Sequence, residues 1–343
     1  MGIRILIADD DRFFREFLKE VLKKDPEITE VYTAVDGRDA VEKTLSLKPD
    51  VVLMDVIMPG YDGYQAIREI MARYPVPIVM ITAYADSNPV YKALLAGAMD
   101  LIPKPGRDMS TSQFVDTIIR KVKLLAGLKV SKRQNAEDEL PGSDGKCIEL
   151  EGHPYHIVAI GASTGGPSAL AQILGNLPTD FPLPIVIAQH IWEGFEGSLA
   201  GWLGSVSKVK VQVARDMTTL QPGNVYLAPT NSHMVVDGCL IRLKKEPVTH
   251  KYPSVDVLFQ SVADSFGKRA IAVLLTGLGS DGAHGLLKIK NAGGYTIAQD
   301  ESTSTVFGMP KVAIELGAAR EVLPIDAIAS RLTELANVRK AQA

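Results

Sequence analysis

Short apolar runs rich in β-branched residues alternate with amphipathic segments along the first 125 residues. The runs are IRILIA, EVYTA, DVVLMD, PIVMIT and MDLIPK. In the segment after the first run, Phe14, Phe17, Leu18 and Val21 recur at three- and four-residue intervals, which predicts an amphipathic helix. Repeated strand–helix units of this kind predict a parallel sheet with helices on both faces.

The alternation stops at a polar stretch, KVSKRQNAEDELPGSDGK, and resumes after it. Pro-Gly and Asp-Gly pairs in this stretch are typical of a linker. The later strand candidates are HIVAIGA, LPIVIAQ, KVQVAR, NVYLAP, HMVVDGCLIRL, AIAVLLTG and GYTIAQ. The sequence therefore predicts two α/β domains, at residues 1–125 and 154–343, with a linker at 126–153.

Length and composition exclude several classes of protein. The chain has 343 residues, about the length of two domains. Its net charge of -3 argues against a protein that coats nucleic acid, and no apolar run is long enough for a membrane helix. Cys147 and Cys239 form no C-x-x-C pair, which is typical of a reducing compartment. We expect a cytoplasmic protein without direct membrane insertion.

Acidic and basic side chains gather at strand ends of the first domain. Asp9 and Asp10 follow the first strand, Asp55 follows the third, and Thr82 and Lys104 end the fourth and fifth. In a doubly wound sheet of order 2-1-3-4-5 the first and third strands are neighbours, so these carboxylates converge. Because clustered carboxylates repel one another, a hard divalent cation would stabilise them.

These five positions resemble the pattern of a response-regulator receiver domain, a flavodoxin-like five-stranded parallel sheet. The resemblance covers residues 1 to about 125. It implies that Asp55 accepts a phosphoryl group and that Asp9, Asp10 and Asp55 bind Mg²⁺. It also implies that Thr82 is the switch hydroxyl and that Lys104 contacts the phosphate.

The loop VAIGASTGGPSAL, residues 158–170, permits three interpretations. A phosphate-binding P-loop requires lysine where Pro167 stands, so that interpretation fails. A dinucleotide fingerprint requires glycine where Ser163 stands, and a side chain there hinders the pyrophosphate. The remaining interpretation is a serine held on a tight strand-to-helix turn.

A nucleophilic serine needs a base and a group that orients this base. His190 ends the strand LPIVIAQ and so reaches the same edge of the sheet as Ser163, while His284 is the alternative base. Asp281 lies in a glycine-rich loop after the strand AIAVLLTG and is the candidate orienting acid. The chain order Ser163, His190, Asp281 differs from the serine, acid, histidine order of α/β-hydrolases.

The second half resembles the catalytic domain of the CheB family of chemotaxis protein-glutamate methylesterases. The motifs that carry the resemblance are IGASTGGPSAL, AQHI, LQPGNVYLAP, LLTGLGSDGAHGL and TIAQDESTSTVFGMP. The resemblance implies a Rossmann-like, mostly parallel α/β domain with Ser163 as nucleophile, His190 as base and Asp281 as orienting acid. It further implies a backbone oxyanion donor at Leu278 and a supporting role for Thr164.

The two resemblances together imply a phosphorylation-activated hydrolase that removes methyl esters from chemoreceptor glutamates, with an extension to glutamine deamidation. The implied partners are a chemotaxis histidine kinase and methyl-accepting chemoreceptors, with no nucleic acid. Mg²⁺ is expected at the phosphorylation site and no cofactor at the esterase site. The alternative is a non-catalytic signalling adaptor that retains the esterase fold.

Three positions depart from the families' patterns. Leu101 stands three residues before Lys104, where receiver domains usually have an aromatic switch residue. Trp192 and Glu193 follow His190, where the esterase family often shows Met-Pro. None of these departures changes the predicted phospho-acceptor or the predicted triad. Leu101 bears on how phosphorylation is read out by a switch residue, and Trp192 and Glu193 bear on receptor preference.

Overall fold

The computed structural model describes residues 2–83, 88–105, 111–127, 153–245 and 253–338. The chain forms two compact units, Met1–Ala136 and Glu137–Ala343. The predicted linker at 126–153 lies almost wholly outside the described residues, so the predicted domain limits stay a prediction. Within the described ranges, no helix is both long and apolar enough to cross a membrane.

Within its described residues, the first unit contains five parallel strands and five helices. The strands are β1 (Ile3–Ala8), β2 (Ile28–Ala34), β3 (Val51–Met54), β4 (Ile78–Thr82) and β5 (Asp100–Pro103). The helices are α1 (Arg12–Leu22), α2 (Gly37–Leu47), α3 (Gly63–Arg73), α4 (Asn88–Leu95) and α5 (Thr111–Leu125). The strand order β2-β1-β3-β4-β5 confirms the predicted doubly wound sheet.

Local sequence explains where the helices of this unit begin. Asp11 and Asp36 cap α1 and α2 by accepting hydrogen bonds from backbone N–H groups of the first turn. Asp62 and Gln65 form a reciprocal capping box at the start of α3. Strands β3 and β4 are buried along their whole length, as expected when helices cover both faces of a parallel sheet.

The second unit is built on a seven-stranded parallel sheet. The strands of this unit are β6 (Ile157–Ala162), β7 (Ile185–Gln189), β8 (Lys210–Val213), β9 (Thr218–Thr219), β10 (Asn224–Leu227), β11 (His233–Asp237), β12 (Leu240–Lys244), β13 (Ala270–Leu274), β14 (Tyr295–Gln299) and β15 (Glu321–Leu323). The helices are α6 (Gly166–Gly175), α7 (Glu196–Ser205), α8 (Val255–Phe266), α9 (Ala283–Asn291), α10 (Met309–Glu315) and α11 (Ile325–Asn337). The order of the large sheet is β15-β14-β13-β6-β7-β10-β8, and β11, β12 and β9 form a small antiparallel sheet.

The parallel sheet confirms the predicted fold class, but one strand prediction is wrong. The run HMVVDGCLIRL forms the two strands of a hairpin, β11 and β12, instead of one strand. Gly238 has φ 58°, a left-handed conformation that glycine adopts without strain, so the Asp-Gly pair turns the chain.

The topology places a crevice at the carboxyl end of β6. This strand lies between β7, the next strand along the chain, and β13, which comes much later. After β6 the chain therefore continues to the neighbouring strand on one side, β7, and later returns to the neighbouring strand on the other side, β13. In open α/β sheets ligands bind outside the carboxyl ends of the strands at such a switch point. Strands β6, β7 and β13 are fully buried and give this crevice a rigid floor.

Candidate active site

Ser163 lies on a tight turn directly after β6. Its backbone N–H donates to the Thr276 carbonyl at 3.0 Å, and its carbonyl accepts from the Gly166 N–H at 2.8 Å. Gly165 has φ 79°, and a side chain there would meet Thr305, so this turn requires glycine. The serine therefore stands at the start of α6 with its backbone fixed on both sides.

The loop after β13 packs directly against this serine. A Cβ atom on Gly277 would lie only 2.7 Å from the Cβ of Ser163, closer than side chains approach each other. Gly277 was not among the predicted site residues. The glycine-rich run TGLGSDG was the signal in the sequence, but it does not say which glycine meets the serine.

His190 and Asp281 form a direct pair beside this turn. The backbone N–H of His190 donates to the Ala162 carbonyl at 3.0 Å, which aligns the ends of β6 and β7. The Nε2 atom of His190 lies 2.8 Å from Oδ2 of Asp281. Because a carboxylate only accepts, this contact assigns the ring proton to Nε2 and leaves Nδ1 as an acceptor in neutral histidine.

Asp281 also receives three hydrogen bonds from the start of α8. The donors are the Ser254 hydroxyl at 2.9 Å, the Val255 N–H at 2.8 Å and the Asp256 N–H at 2.9 Å. Burial alone would raise the pKa of Asp281, but the bonds from His190 and the backbone outweigh it and lower the pKa to about 2. Asp281 is therefore ionised at neutral pH. No local pattern in the sequence predicts this use of a helix N-terminus.

A buried polar network lies behind the loop. The Thr276 hydroxyl donates to the Thr164 carbonyl at 2.9 Å and accepts from the Val306 N–H at 2.9 Å. The Thr276 N–H donates to Oε1 of Gln299 at 2.8 Å. Thr164, predicted as a supporting residue, is thus tied through its backbone to the loop after β13, while Thr276 and Gln299 were not predicted.

Leu278 directly follows Gly277, so its backbone N–H belongs to the loop that packs against Ser163. Leu278 is 40% exposed, which suits a position whose contribution comes from the backbone. His284, the alternative base, is an exposed residue in the first turn of α9, and the structure brings His190 rather than His284 onto the Asp281 carboxylate.

The predicted acidic cluster assembles in the first unit. One carboxylate oxygen from each of Asp9, Asp10 and Asp55 lies within 4.8 Å of the others. Asp9 and Asp55 are buried and Asp10 is exposed. Three carboxylate oxygens converging on one point are the donor set that Mg²⁺ prefers, so these residues fit the expected ion.

Lys104, directly after β5, offsets part of the negative charge of this cluster. Its Nζ lies 2.6 Å from Oδ2 of Asp55 and 2.8 Å from Oδ2 of Asp9. Burial would lower the pKa of Lys104, but the two carboxylates outweigh it and raise that pKa, whereas burial raises the pKa of Asp9. Nζ also lies 4.7 Å from the ring centroid of Phe14, a cation–π contact that was not predicted.

The remaining predicted positions lie on strand ends, on β5 and in the loop after His190. Thr82 is the buried last residue of β4, and its carbonyl accepts from the Lys104 N–H at 2.8 Å. Leu101 is buried on β5. Trp192 is half-buried and Glu193 exposed in the loop after His190.

Comparison with known proteins matches both halves of the chain. Residues 158–332 match the family model of the CheB methylesterase, and residues 5–115 match that of the response regulator receiver domain. The chain is 43% identical to the "Protein-glutamate methylesterase/protein-glutamine glutaminase 2" of Anaeromyxobacter dehalogenans, over 97% of each chain. It is 42% identical to the protein-glutamate methylesterase/protein-glutamine glutaminase of Symbiobacterium thermophilum, over 96% of each.

A solved structure agrees with these matches. The CheB methylesterase catalytic domain of Thermotoga maritima has a TM-score of 0.51 and 43% identity, and the match covers 53% of this chain and 98% of that one. These findings confirm the predicted resemblance of both halves.

Proposed function

The chain belongs to the CheB methylesterase family and carries a response-regulator receiver domain, and on this premise we propose that it hydrolyses glutamate methyl esters on chemoreceptors under control of phosphorylation. The observation that carries the proposal is the His190–Asp281 pair beside the Ser163 turn, at the ends of three adjacent strands. The proposed domain limits are 1–125 and 154–343. A cytoplasmic location is part of the proposal, because the two isolated cysteines suit a reducing compartment.

In the proposed mechanism Ser163 is the nucleophile and His190 the base. Nδ1 of His190 takes the hydroxyl proton as Oγ of Ser163 bonds to the ester carbonyl carbon. The charge on Asp281 stabilises the imidazolium that forms. The ester C–O bond then breaks, methanol leaves with the proton from His190, and water hydrolyses the acyl-enzyme by the same route in reverse.

The developing oxyanion needs donors that are already in place. We assign the backbone N–H of Leu278 and the N-terminus of α6 to this task, because both border Ser163. Removing one such donor typically lowers kcat by about 10²–10³. Thr164 supports this arrangement by accepting a hydrogen bond from Thr276 through its carbonyl.

Deamidation of glutamine is the second proposed activity of the same site. The printed names of the relatives combine methylesterase and glutaminase. An amide passes through the same acyl-enzyme, with ammonia leaving in place of methanol, so no additional residue is needed.

Phosphorylation of Asp55 by a chemotaxis histidine kinase is proposed as the control. Asp9, Asp10 and Asp55 would hold Mg²⁺, which offsets the negative charge of a phosphoryl group when bound. Lys104 pairs with Asp55 and is placed to contact the phosphoryl oxygens, and Thr82 lies on the neighbouring strand end as the switch hydroxyl.

Methanol release from a methylated receptor tests the proposal. We expect release by the wild type, stimulation by a small-molecule phosphoryl donor, and background release by Ser163→Ala. Ser205→Ala is the matched control, since the Ser205 hydroxyl only donates to the Trp202 carbonyl at the end of α7. Equal release by Ser163→Ala and the wild type would refute the nucleophile, and no release by the wild type would favour the adaptor.

A further inference from the structure

One buried glutamine side chain joins the segments of the proposed nucleophile and base. Gln189 is the last residue of β7 and is 1% exposed. Its amide nitrogen, Nε2, donates to the Ser163 carbonyl at 2.8 Å and to the His190 carbonyl at 2.9 Å. Both N–H groups of one amide therefore bind the backbones of Ser163 and His190. The proposed proton transfer takes place between these two residues and depends on their separation.

The turn after β6 is shaped to admit this side chain. A Cβ atom on Gly166 would lie 2.0 Å from Oε1 of Gln189, so a larger residue at position 166 would displace the amide. Gly166 itself donates to the same Ser163 carbonyl, at 2.8 Å. The Ser163 carbonyl therefore has two donors, one within its own turn and one from β7.

Burial of apolar surface does not explain why the residue at position 189 carries an amide group. Oε1 of Gln189 has no hydrogen-bond partner among the described residues, and burying such an acceptor opposes folding. Methionine has nearly the same length and would fill the same space without this cost. What methionine lacks is the donor, so the contribution of Gln189 lies in the two bonds from Nε2.

We propose that Gln189 is a positioning residue that fixes the distance between Oγ of Ser163 and Nδ1 of His190. It acts through the backbones of both residues and does not touch the substrate. This inference rests on the proposed function, and it adds how the Ser163 turn and His190 are held at a fixed separation. Small displacements of reacting groups are costly, about 10²-fold in rate for 1 Å.

Gln189→Met in the full chain is the test, with methylated receptor as substrate. We expect kcat to fall by about 10²-fold with KM nearly unchanged, because the interaction contributes only to the reacting geometry. The melting temperature is expected to change little, because removal of the unpaired Oε1 offsets the loss of the two bonds from Nε2. Gln172→Met is the matched control, since Gln172 lies in α6 and is only half-buried, and we expect it to keep the wild-type kcat.

Gln189→Glu gives a second readout, a changed pH profile. An ionised carboxylate would face two carbonyl oxygens, whereas a protonated one donates to one of them. We therefore expect the activity of Gln189→Glu, relative to the wild type, to rise as the pH is lowered. Activity is expressed per folded protein at each pH, and a merely structural role would then not produce this rise.

A serine-directed fluorophosphonate separates this inference from the proposed function. Oγ of Ser163 displaces fluoride from phosphorus, and the rate reports nucleophile activation without any receptor. Slow labelling of Gln189→Met supports the inference even if no receptor ester is hydrolysed. Labelling and kcat of Gln189→Met at wild-type rates would overturn it, as would a loss of kcat matched by an equal loss of folded protein.

Discussion

Each of the two sites lies at the carboxyl ends of the strands of a parallel sheet, but different kinds of interaction hold the two sites together. In the receiver unit the charged groups contact one another directly, with Lys104 bonded to Asp55 and Asp9. In the catalytic site Asp281 accepts a hydrogen bond from His190, and the other contacts that fix the site are backbone and amide hydrogen bonds.

This difference follows from the group that each site must handle. A phosphoryl group brings negative charge, so the receiver site needs cations beside it, and its carboxylates are suited to hold one. An ester is neutral, and its hydrolysis depends on donors and a base that are fixed before charge develops. We therefore expect the catalytic site to be sensitive to small changes in position and the receiver site to be sensitive to charge.

Asp281→Asn is expected to have the largest effect. The Ser254 hydroxyl and the Asp256 N–H both bind Oδ1, so they would claim the amide oxygen. The amide NH₂ would then take the place of Oδ2, where it would face the Val255 N–H and His190 and force the ring proton onto Nδ1. Nδ1 could then no longer accept from Ser163, and kcat should fall by about 10³–10⁴.

Methanol release measures this loss, and phosphoryl labelling of Asp55 should be unchanged. Asp264→Asn is the control, because Asp264 is an exposed partner of Lys288 on the outer side of α8 and α9. A decrease in kcat of less than tenfold for Asp281→Asn would contradict the expectation that the catalytic site is sensitive to the position of its groups.

Gly277→Ala tests the sensitivity to position without any change in charge. The added methyl group would lie 2.3 Å from Sδ of Met309 and 2.7 Å from the Cβ of Ser163, so Met309 must move and the serine turn or the loop must shift. We expect kcat to fall by about 10²-fold, as for a displacement near 1 Å.

The control for this substitution is Gly201→Ala in α7, where an added Cβ meets nothing within 4 Å. That change should leave kcat unaltered and raise stability slightly, because alanine favours helices over glycine. Wild-type kcat in Gly277→Ala would mean that the loop after β13 does not restrain the serine.

Low pH should affect Asp281 and Asp9, one carboxylate from each site, with opposite sign. The pKa of Asp281 is lowered to about 2 in the folded state from its ordinary 3.8. Its contribution to the free energy of unfolding, about 2 kcal/mol, is present above pH 4 and is lost as the pH falls toward 2. Burial raises the pKa of Asp9. Ionisation of Asp9 therefore lowers the free energy of unfolding as the pH rises above 3.8, the ordinary pKa of the group.

Tryptophan fluorescence isolates the response of the catalytic unit, because Trp192 and Trp202 are the two tryptophans of the chain. Urea midpoints of the wild type should decrease between pH 4 and pH 2 more steeply than those of Asp281→Asn. Parallel decreases in both proteins would remove Asp281 as the cause.

Sequence predicted the parts of both sites that topology alone determines. Ser163, His190 and Asp55 follow strand runs directly, and the carboxyl ends of parallel strands share one edge of a sheet. It did not predict the contacts that cross between distant segments. The Gln189 amide reaches back 26 residues to Ser163, and Thr276 reaches back 112 residues to Thr164, and neither distance follows from a local pattern.

Asp55→Asn is expected to have the smallest effect on unstimulated hydrolysis and so tests whether the two sites are separable. The substitution removes the phospho-acceptor, and Lys104 keeps its ion pair with Asp9, so the receiver unit should remain folded. Phosphoryl labelling and its stimulation of methanol release should be lost, while unstimulated release stays at the wild-type rate. Asp116→Asn, at an exposed position of α5, should retain all three properties. A lower unstimulated rate in Asp55→Asn alone would show that the charge at the receiver site acts on the esterase even without phosphorylation, and the two sites could then not be treated as independent constructions.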